Sequence, residues 1–397
     1  MCRRILLLLC SLLILATQTS CWSSKEIEDL ALYAGLALDT AELSPTEQKL
    51  EDQGATYSKR NMVTATVQMV PANSVGGSEN PGTHNNGSAP YMNVTGTGDS
   101  VLEIFRQYSI LRDRPIIGHH LKVIVVSTEL LKQYKMNQLM DFVLRDNDIR
   151  PSTMVFLSQG RAEETLVSNQ KDVIPSFHIR DMIRNQKRTS KVLDPVILSK
   201  LDSLMTSKRS YALQNLVTAN GEVEFSGAGI IKGETGHWAG ALTQEDTECL
   251  AWLTNSAQAG VIKTYDSSNE PITYELKAMK SKITAKVDGG SLSFDVNIKT
   301  EGRLIETWNI DEYPASAHFP QKAEKLFKKR LEQMMQSLLH KLQSDYKADA
   351  AGFSNRLSIQ EPALWRKLED HWDEEFSRTP IHVTVDLKIT DFGSFTQ

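Results

Sequence analysis

The sequence predicts a mixed α/β protein of the α+β type, with about three domains in which mixed or mainly antiparallel sheets pack against helices. Three observations support this fold class. In the first half of the chain, segments rich in β-branched residues alternate with segments of helical spacing. Asn220-Gly221 stands between two alternating runs, which is typical of a β-hairpin. The second half holds two long alternating runs, followed by a long amphipathic helix.

The chain begins with a short hydrophobic segment. Arg3 and Arg4 precede an apolar stretch at residues 5–16, within MCRRILLLLCSLLILATQTSC. A helix over that stretch would span roughly 18 Å, whereas the hydrocarbon core of a bilayer is about 30 Å thick. Residues 1–20 are therefore predicted to be a secretory signal peptide and not a transmembrane helix.

Cys21 follows this leader directly and is the predicted lipidation site. Small residues before a cysteine are typical of a bacterial lipobox, in which the thiol receives diacylglycerol and the chain is cut just ahead of it. Gln18 departs from that pattern, which usually has an apolar residue three positions before the cysteine. Ordinary signal-peptide cleavage nearby and an uncut N-terminal anchor are the alternatives. Because two acyl chains give stable membrane attachment, a diacylated Cys21 would tether an otherwise water-soluble chain.

Composition excludes several classes of protein. The 397 residues are 40% hydrophobic and 23% charged, with a formal net charge of -5, which is ordinary for globular proteins and gives no nucleic-acid footprint. The four cysteines are Cys2, Cys10, Cys21 and Cys249. Two of them lie in the leader, so a lipidated Cys21 leaves Cys249 without a partner for an intramolecular disulfide. We expect Cys249 to be a small buried apolar residue.

An N-terminal α/β domain is predicted over residues 21–205. Its strands and helices are expected, in chain order, in WSSKEIEDLALYAGLALD (a helix running into a strand), NMVTATVQMV (strand), GDSVLEIFRQYSILRD (helix), LKVIVVS (strand), MNQLMDFVLRD (helix), TMVFLSQG (strand), and RAEETLVSN and IRDMIRNQKRT (helices). Residues 71–98 are rich in Gly, Asn, Ser and Pro and have almost no apolar residue. They are predicted to be a mobile loop, either a tolerated surface insertion or an interaction segment.

A small middle domain is predicted over residues 206–262 and a C-terminal domain over residues 263–397. The middle domain holds the hairpin YALQNLVTANGEVEFSGAGIIKG and the helix LTQEDTECLAWLTN. The C-terminal domain holds two long strands, ITYELKAMKSKITAKVD and SLSFDVNIKTEGRLIE, then a long helix in QKAEKLFKKRLEQMMQSLLHKLQSDYKADA and a last strand, HVTVDLKITDF. We expect the long helix to lie on its own sheet, a partner or membrane helix being the alternative.

Tryptophans mark positions where the cores of these domains are expected. Trp238 is predicted to pack in the middle domain. Trp365 and Trp372 are seven residues apart and should share one face of a helix. Core aromatics are the expected role of this pair, with a peptide-binding surface as the alternative.

No catalytic, cofactor-binding or metal-ligating residue is predicted. Gly98-Asp99-Ser100 resembles the nucleophile block of GDS-type lipases and esterases, but the D-x-x-H block that supplies their base is absent. Ser100 and Glu103 instead fit a capping box at the start of a helix. His119-His120 fits a metal site poorly, because adjacent residues of a strand point to opposite faces. Walker A, G-x-G-x-x-G and H-E-x-x-H motifs are also absent.

Five blocks of the sequence resemble, in order, the motifs of one family. They are SCWSSKEIEDLALYAGLALD, RDRPIIGHHLKVIVVSTELL, MDFVLRDNDIRPSTMVFLSQGRAEETL, FSGAGIIKGETGHWAGALTQEDTECLAWL and LQSDYKADAAGFSNRLSIQEPALWRKLEDHWDEEF. Ser20 and Ser23 stand where members typically have Gly and Asp. In the last block, Gln343 and Asp349 match the glutamine and the acid of a Q-x-x-x-x-D signature, with the glutamine slightly early. The blocks resemble the Ger(x)C family, the lipoprotein C subunits of nutrient germinant receptors in endospore-forming bacteria.

The resemblance implies a non-catalytic protein without cofactors, anchored through lipid on Cys21. Its position would be the outer face of the inner spore membrane, and its partners a membrane-embedded A subunit and a transporter-like B subunit. It would help nutrient-triggered germination, and Trp22 would begin the mature chain beside the bilayer, in the interface or packed on the domain. Two other classes are weighed against this one: an extracytoplasmic solute-binding lipoprotein, and an exported GDS-type hydrolase that uses Ser100.

Overall fold

The fold is that of a computed structural model, which describes residues 31–55, 60, 63–70, 90–112, 116–256, 259–309 and 319–392. The described strands form two sheets, one of ten strands and one of four, and helices pack against both. The mixed α/β class predicted from the sequence is therefore confirmed.

The large sheet has parallel strands in its centre and antiparallel hairpins at both sides. The strand order is β10-β9-β8-β6-β5-β1-β2-β3, with β4 beside β1 and β7 beside β6. The central strands are buried on both faces, which explains their nearly continuous apolar sequences. The strands are β1 (Ala31–Thr40), β2 (Val63–Val70), β3 (Met92–Gly98), β4 (Ile116–Ile117), β5 (Val123–Ser127), β6 (Met154–Ser158), β7 (Val196–Ile197), β8 (Tyr211–Ala219), β9 (Glu222–Ile231) and β10 (Trp238–Leu242).

Alternate residues of the central strands belong to different hydrophobic cores. Leu36 and Leu38 lie in the core that includes α2 and α4, whereas Ala37 lies in the core that includes α5. This is the two-residue period of a strand covered on both faces. RAEETL forms a 3₁₀ turn and not the expected helix. The helical elements around this sheet are α1 (Pro45–Asp52), α2 (Val101–Leu111), α3 (Thr128–Gln133), α4 (Met136–Arg145), a 3₁₀ segment (Ala162–Leu166), α5 (Pro175–Met182), a 3₁₀ segment (Ile183–Lys187) and α6 (Leu198–Thr206).

The four-stranded sheet carries the long amphipathic helix on one face. The strands are β11 (Val261–Tyr265), β12 (Pro271–Asp288), β13 (Ser291–Thr307) and β14 (Ile381–Asp391), and the helices are α7 (Gln244–Leu253), α8 (Phe319–His340) with a π-helical turn (Lys341–Asp345), α9 (Phe353–Gln360), α10 (Pro362–Leu368), a 3₁₀ turn (Glu369–His371) and α11 (Trp372–Arg378). Helix α8 lies on its own sheet, as expected: the rings of Phe327 and Tyr274 are 5.4 Å apart. Within the described part of the chain, no helix is long and apolar enough to cross a membrane.

Residues 206–262 contribute to both halves of the molecule. Strands β8, β9 and β10 continue the large sheet from β6, with Leu157 of β6 paired to Asn215 of β8. Helix α7 and the side chains of Ile230 and Leu242 instead join the core beneath α8. The division at residues 205 and 262 remains a proposal about folding units, because the large sheet is continuous across residue 205.

The prediction of a mobile loop over residues 71–98 is wrong at its C-terminal end. Residues 92–98 form β3, which pairs antiparallel with β2. Hydroxyl groups of facing threonines lie 2.9 Å apart in the pairs Thr64–Thr97 and Thr66–Thr95. A Cβ on Gly96 would lie 2.9 Å from Tyr108, so this glycine permits close packing of α2. Residues 71–89 lie outside the described residues.

The predicted hairpin between β8 and β9 is confirmed. Asn220 and Gly221 have φ angles of 52° and 73°. A type I′ turn requires positive φ at both central residues, and Asn-Gly adopts this at low steric cost.

Candidate functional site

Ser100, the candidate nucleophile, caps a helix. Its hydroxyl accepts a hydrogen bond from the backbone N–H of Glu103 at 3.4 Å, at the start of α2. Among the described residues, no histidine lines the cleft beside Ser100. The geometry thus gives Ser100 the role of a helix cap.

In the part of the chain that the structure describes, His119 and His120 are not joined by further ligands into a metal centre. His119 Nε2 lies 3.6 Å from Asp148 Oδ1 near the surface. Burial lowers the pKa of His120, with further lowering by the neighbouring charges of Lys122 and Arg150. The described ranges contain no group of three or more His, Cys, Asp or Glu residues that could hold a metal ion.

Cys249 lies in a hydrophobic core, as expected, whereas Trp238 packs against a different core from the one predicted. Cys249 is fully buried, and this burial raises the pKa of its thiol. Trp238 was expected inside a middle domain, but it packs at the edge of the large-sheet core. There, Lys132 Nζ lies 5.1 Å from its ring centroid. The correction follows because β10 is joined through β9 and β8 to β6, so it continues the sheet of the N-terminal half.

The acid that closes the first sequence block holds a distant turn. Asp39, at the end of β1, accepts hydrogen bonds from the N–H groups of Ala162 at 2.6 Å and Glu163 at 2.9 Å. Burial raises the pKa of Asp39 to about 6, against the lowering effect of these two bonds. Arg161 lies beside it and pairs with Glu42 and Glu163. This network joins the first block to the third.

The last block forms a second buried network around Asp349. Its carboxylate accepts hydrogen bonds from the N–H groups of Gly352, Phe353 and Ser354 at 2.6–3.0 Å. The indole of Trp372 donates to the same carboxylate. These bonds fix the start of α9 against α11.

Gln343 and the paired tryptophans complete this block. The Gln343 amide donates to the carbonyl oxygens of Phe376 at 2.7 Å and Thr379 at 2.8 Å. The rings of Trp365 and Trp372 are 5.4 Å apart, but the single helix on which they were expected to share a face is interrupted. A 3₁₀ turn separates α10 from α11, so the two rings meet without a continuous helix between them.

The end of α8 is fixed to the outer strands of the large sheet. Lys341 pairs with Asp246, and Arg330 pairs with Glu245, so α8 is linked to α7. Tyr346 donates a hydrogen bond to the carbonyl of Ala241 in β10 at 2.6 Å. This junction holds the two sheets together.

Cys21, the predicted lipidation site, lies outside the described residues, and so does Trp22. The described chain starts at Ala31, ten residues later, at the first residue of β1. That separation spans at most about 35 Å of extended chain.

The end of the large sheet where β1 begins is called the upstream end; it comprises the start of β1, the turn before β5 (residues 118–122) and the turn before β6 (residues 146–153). The three segments adjoin: Lys122 N–H donates to Ala34 O, and Met154 N–H to Lys122 O.

The described chain is a two-sheet protein in which buried acids bond to the backbone of turns and helix starts. Three acids in the family-like sequence blocks accept hydrogen bonds from backbone N–H groups. Asp39 binds the turn at residue 162, Asp246 binds the residue before α7, and Asp349 binds the start of α9. Each acid satisfies backbone donors that a buried helix or turn would otherwise leave unpaired.

Two family models match the chain. They are the spore germination protein N-terminal domain over residues 23–217 and the Spore germination B3/GerAC like, C-terminal, over residues 226–393. The chain belongs to this spore germination family, the family of germinant receptor C subunits. The gap between the two matches falls at the β8–β9 hairpin. Beyond this hairpin, β9 and β10 still belong to the large sheet, but some of their side chains pack in the core that includes α8.

Curated relatives match over nearly their whole length. Spore germination protein YndF of Bacillus subtilis (strain 168) is 35% identical, with 96% of this chain and 95% of the relative covered. Spore germination protein B3 of the same organism is 30% identical, with 94% of each covered. A solved structure, the crystal structure of the GerBC protein, matches with a TM-score of 0.60 and 25% identity, and covers 85% of this chain and 96% of that chain.

Proposed function

We propose that this protein is the lipid-anchored C subunit of a nutrient germinant receptor. It acts with membrane-embedded A and B subunits at the outer face of the inner spore membrane, and it has no catalytic role. The match of nearly the whole chain to spore germination proteins carries the proposal. The five sequence blocks that resemble this family's motifs agree with that match.

The proposed anchor is Cys21. Residues 1–20 have the charge and length of a signal peptide, and Cys21 follows at its end. Because the described chain begins ten residues later at β1, the upstream end of the sheet would stand close to the membrane.

The proposed non-catalytic role draws on the buried polar residues. The buried carboxylates of Asp39 and Asp349 bond to backbone N–H groups of their own chain. Ser100 supports a helix start. A receptor subunit of this kind would contribute a rigid surface to the complex and position it on the membrane.

Membrane fractionation of three versions of the chain tests the anchor. In a host that processes lipoproteins, the wild type and Cys10→Ala should stay in the membrane fraction after a high-salt wash, with the leader removed. Cys10 lies in the leader and is the matched control. Cys21→Ala should leave the membrane or keep an uncut leader. A Cys21→Ala protein of mature length that stays in the membrane would contradict the proposal.

A further inference from the structure

The upstream end of the large sheet carries a cluster of cations. Lys122 is the last residue of the turn before β5, and Arg150 lies in the turn before β6; these turns adjoin through the bond from Met154 N–H to Lys122 O. Arg180 on α5 lies on the same side, close enough that its charge and that of Arg150 both lower the pKa of Lys122, after the larger effect of burial. Like charges are thus held together here in a chain of net charge -5.

The cluster continues onto the neighbouring 3₁₀ segment. Arg180, Arg184 and Lys187 surround a shallow depression beside Met154, the first residue of β6. Arg184 is 80% exposed, and Lys187 and Arg150 are also exposed. The surface therefore presents its charges to whatever lies beyond this end of the sheet.

The carboxylates nearby do not neutralise the cluster. Asp148 faces His119, and Asp181 pairs with both Arg180 and Arg184. With Asp146, and with Asp194, which accepts a hydrogen bond from the Gln186 side chain, four carboxylates stand against five cations: Lys122, Arg150, Arg180, Arg184 and Lys187. Among the residues that the structure describes, Lys122, Arg150 and Lys187 have no carboxylate within ion-pair distance.

We propose that this basic surface at the upstream end faces the anionic phospholipid headgroups of the membrane. The inference rests on the proposed anchor at Cys21, because the chain enters β1 at the same end where the cations converge. The chain between Cys21 and Ala31 would hold this end within about 35 Å of the bilayer. From there, thermal motion brings the surface within the Debye length of about 8–10 Å, where attraction to anionic lipid acts.

A headgroup surface fits this cluster better than a small anion would. The exposed cations are spread over two turns and a 3₁₀ segment, so they form a surface and not an enclosed pocket. Long Lys and Arg side chains suit an array of mobile negative charges. The contact would set the orientation of the whole subunit, because the basic surface lies at one end of the strands of the large sheet.

The test measures, by fluorescence quenching, which end of strand β6 lies nearer the lipid. Ser152 and Gln159 are exposed residues just before and just after β6, about 23 Å apart if the strand is extended. Each is replaced by cysteine in the full chain, processed in a lipoprotein-producing host, labelled with a fluorophore and reconstituted into vesicles. Cys249 is buried and should not take the label. The vesicles contain phosphatidylcholine, with or without phosphatidylglycerol, and a headgroup quencher.

The expected result is stronger quenching at Ser152→Cys than at Gln159→Cys in anionic vesicles, with the difference lost at high salt and in neutral vesicles. The triple variant Arg150→Glu, Arg184→Glu, Lys187→Glu should lower the quenched population at least about tenfold, because each cation near an anionic leaflet contributes roughly a fivefold factor. The control Lys325→Glu, Lys328→Glu, Lys329→Glu makes the same charge change on an exposed face of α8 and should leave the quenching unchanged.

Two failures can be told apart. If the protein washes off all vesicles at high salt, the proposed lipid anchor is contradicted, and with it the proposed function. Protein that stays attached but shows equal quenching at both positions, or no effect of the triple variant, would overturn the orientation and leave the anchor intact. An unaltered signal in neutral vesicles would show that lipid charge does not set the orientation and would also overturn it.

Discussion

The indole N–H of Trp372 donates a hydrogen bond to the carboxylate of Asp349 at 3.0 Å, and both side chains are buried. The same carboxylate accepts three backbone N–H bonds at the start of α9. One acid thus connects two helices of the last sequence block, and four hydrogen-bond donors point at its carboxylate.

Removing this acid should strongly destabilise the protein. Asp349→Ala leaves the indole and several backbone donors buried without a partner, at a cost of about 3 kcal/mol in free energy of unfolding. Denaturant unfolding measures the change. Asp345→Ala, an exposed acid in the preceding π-helical turn, is the control and should change stability by less than about 0.5 kcal/mol. Equal effects of the two substitutions would refute the role given to Asp349.

Glu248 should make stability depend on pH. Burial raises its pKa to about 7, with a smaller lowering effect from Lys191. Below its ordinary pKa of 4.5, the residue is protonated in both the folded and unfolded states. As the pH rises from 4.5 through 7, the unfolded chain loses the proton first, so folded stability falls, and the loss is complete above 7.

Glu248→Gln should remove that loss. The variant should be more stable than wild type at pH 8, by on the order of 2 kcal/mol, and similar to it at pH 4. Melting temperatures across this range measure the difference. Glu374→Gln, on an exposed side chain, should follow the wild-type curve. A Glu248→Gln advantage that grows toward low pH would have the wrong sign for this account.

Gly240 in β10 leaves space for Tyr346 at the junction of the two sheets. A Cβ at Gly240 would lie 2.1 Å from a ring carbon of Tyr346. Gly240→Ala should therefore cost about 2 kcal/mol through overpacking. At Gly160, the nearest atom would be 3.8 Å away, so Gly160→Ala should have little effect. Combining Gly240→Ala with Tyr346→Ala should cost less than the sum of the two single changes; strict additivity would mean that the side chains do not interact.

The Ser100→Ala variant distinguishes between two roles of Ser100, a helix cap and a catalytic nucleophile. Loss of the cap on α2 should lower stability by about 1 kcal/mol while germination is retained. Thermal unfolding and spore germination assays on the same variant measure both quantities. A variant of wild-type stability that fails to support germination would restore the hydrolase hypothesis.

Local features of this fold could be predicted from the sequence, and contacts between distant segments could not. Asn220-Gly221 marked its hairpin because the required backbone angles depend on those two residues alone. Strand β3 was missed because its Asn, Thr and Gly residues resemble a loop, and its stability comes from pairing with β2 and from close packing on Tyr108.

The same limit applies to the candidate site. Asp39 holds the N–H groups of residues 162 and 163, more than a hundred positions away, and no local pattern marks such a pair. The cations of the upstream end come from separate turns and a helix, so they form no charge run in the sequence. Trp365 and Trp372 were expected on one face of a single helix; their rings do lie 5.4 Å apart, but a 3₁₀ turn between α10 and α11, which their spacing does not mark, brings them together.

Nutrient-triggered loss of optical density in spores tests the central claim most directly. A strain that lacks this gene is complemented with the wild type, with Cys21→Ala or with the leader control Cys10→Ala. The account predicts that the wild type and Cys10→Ala restore the response to the nutrient and that Cys21→Ala does not. A deletion that leaves every nutrient response intact, in a strain without related receptors, would contradict the receptor role. Full rescue by Cys21→Ala would contradict the anchor.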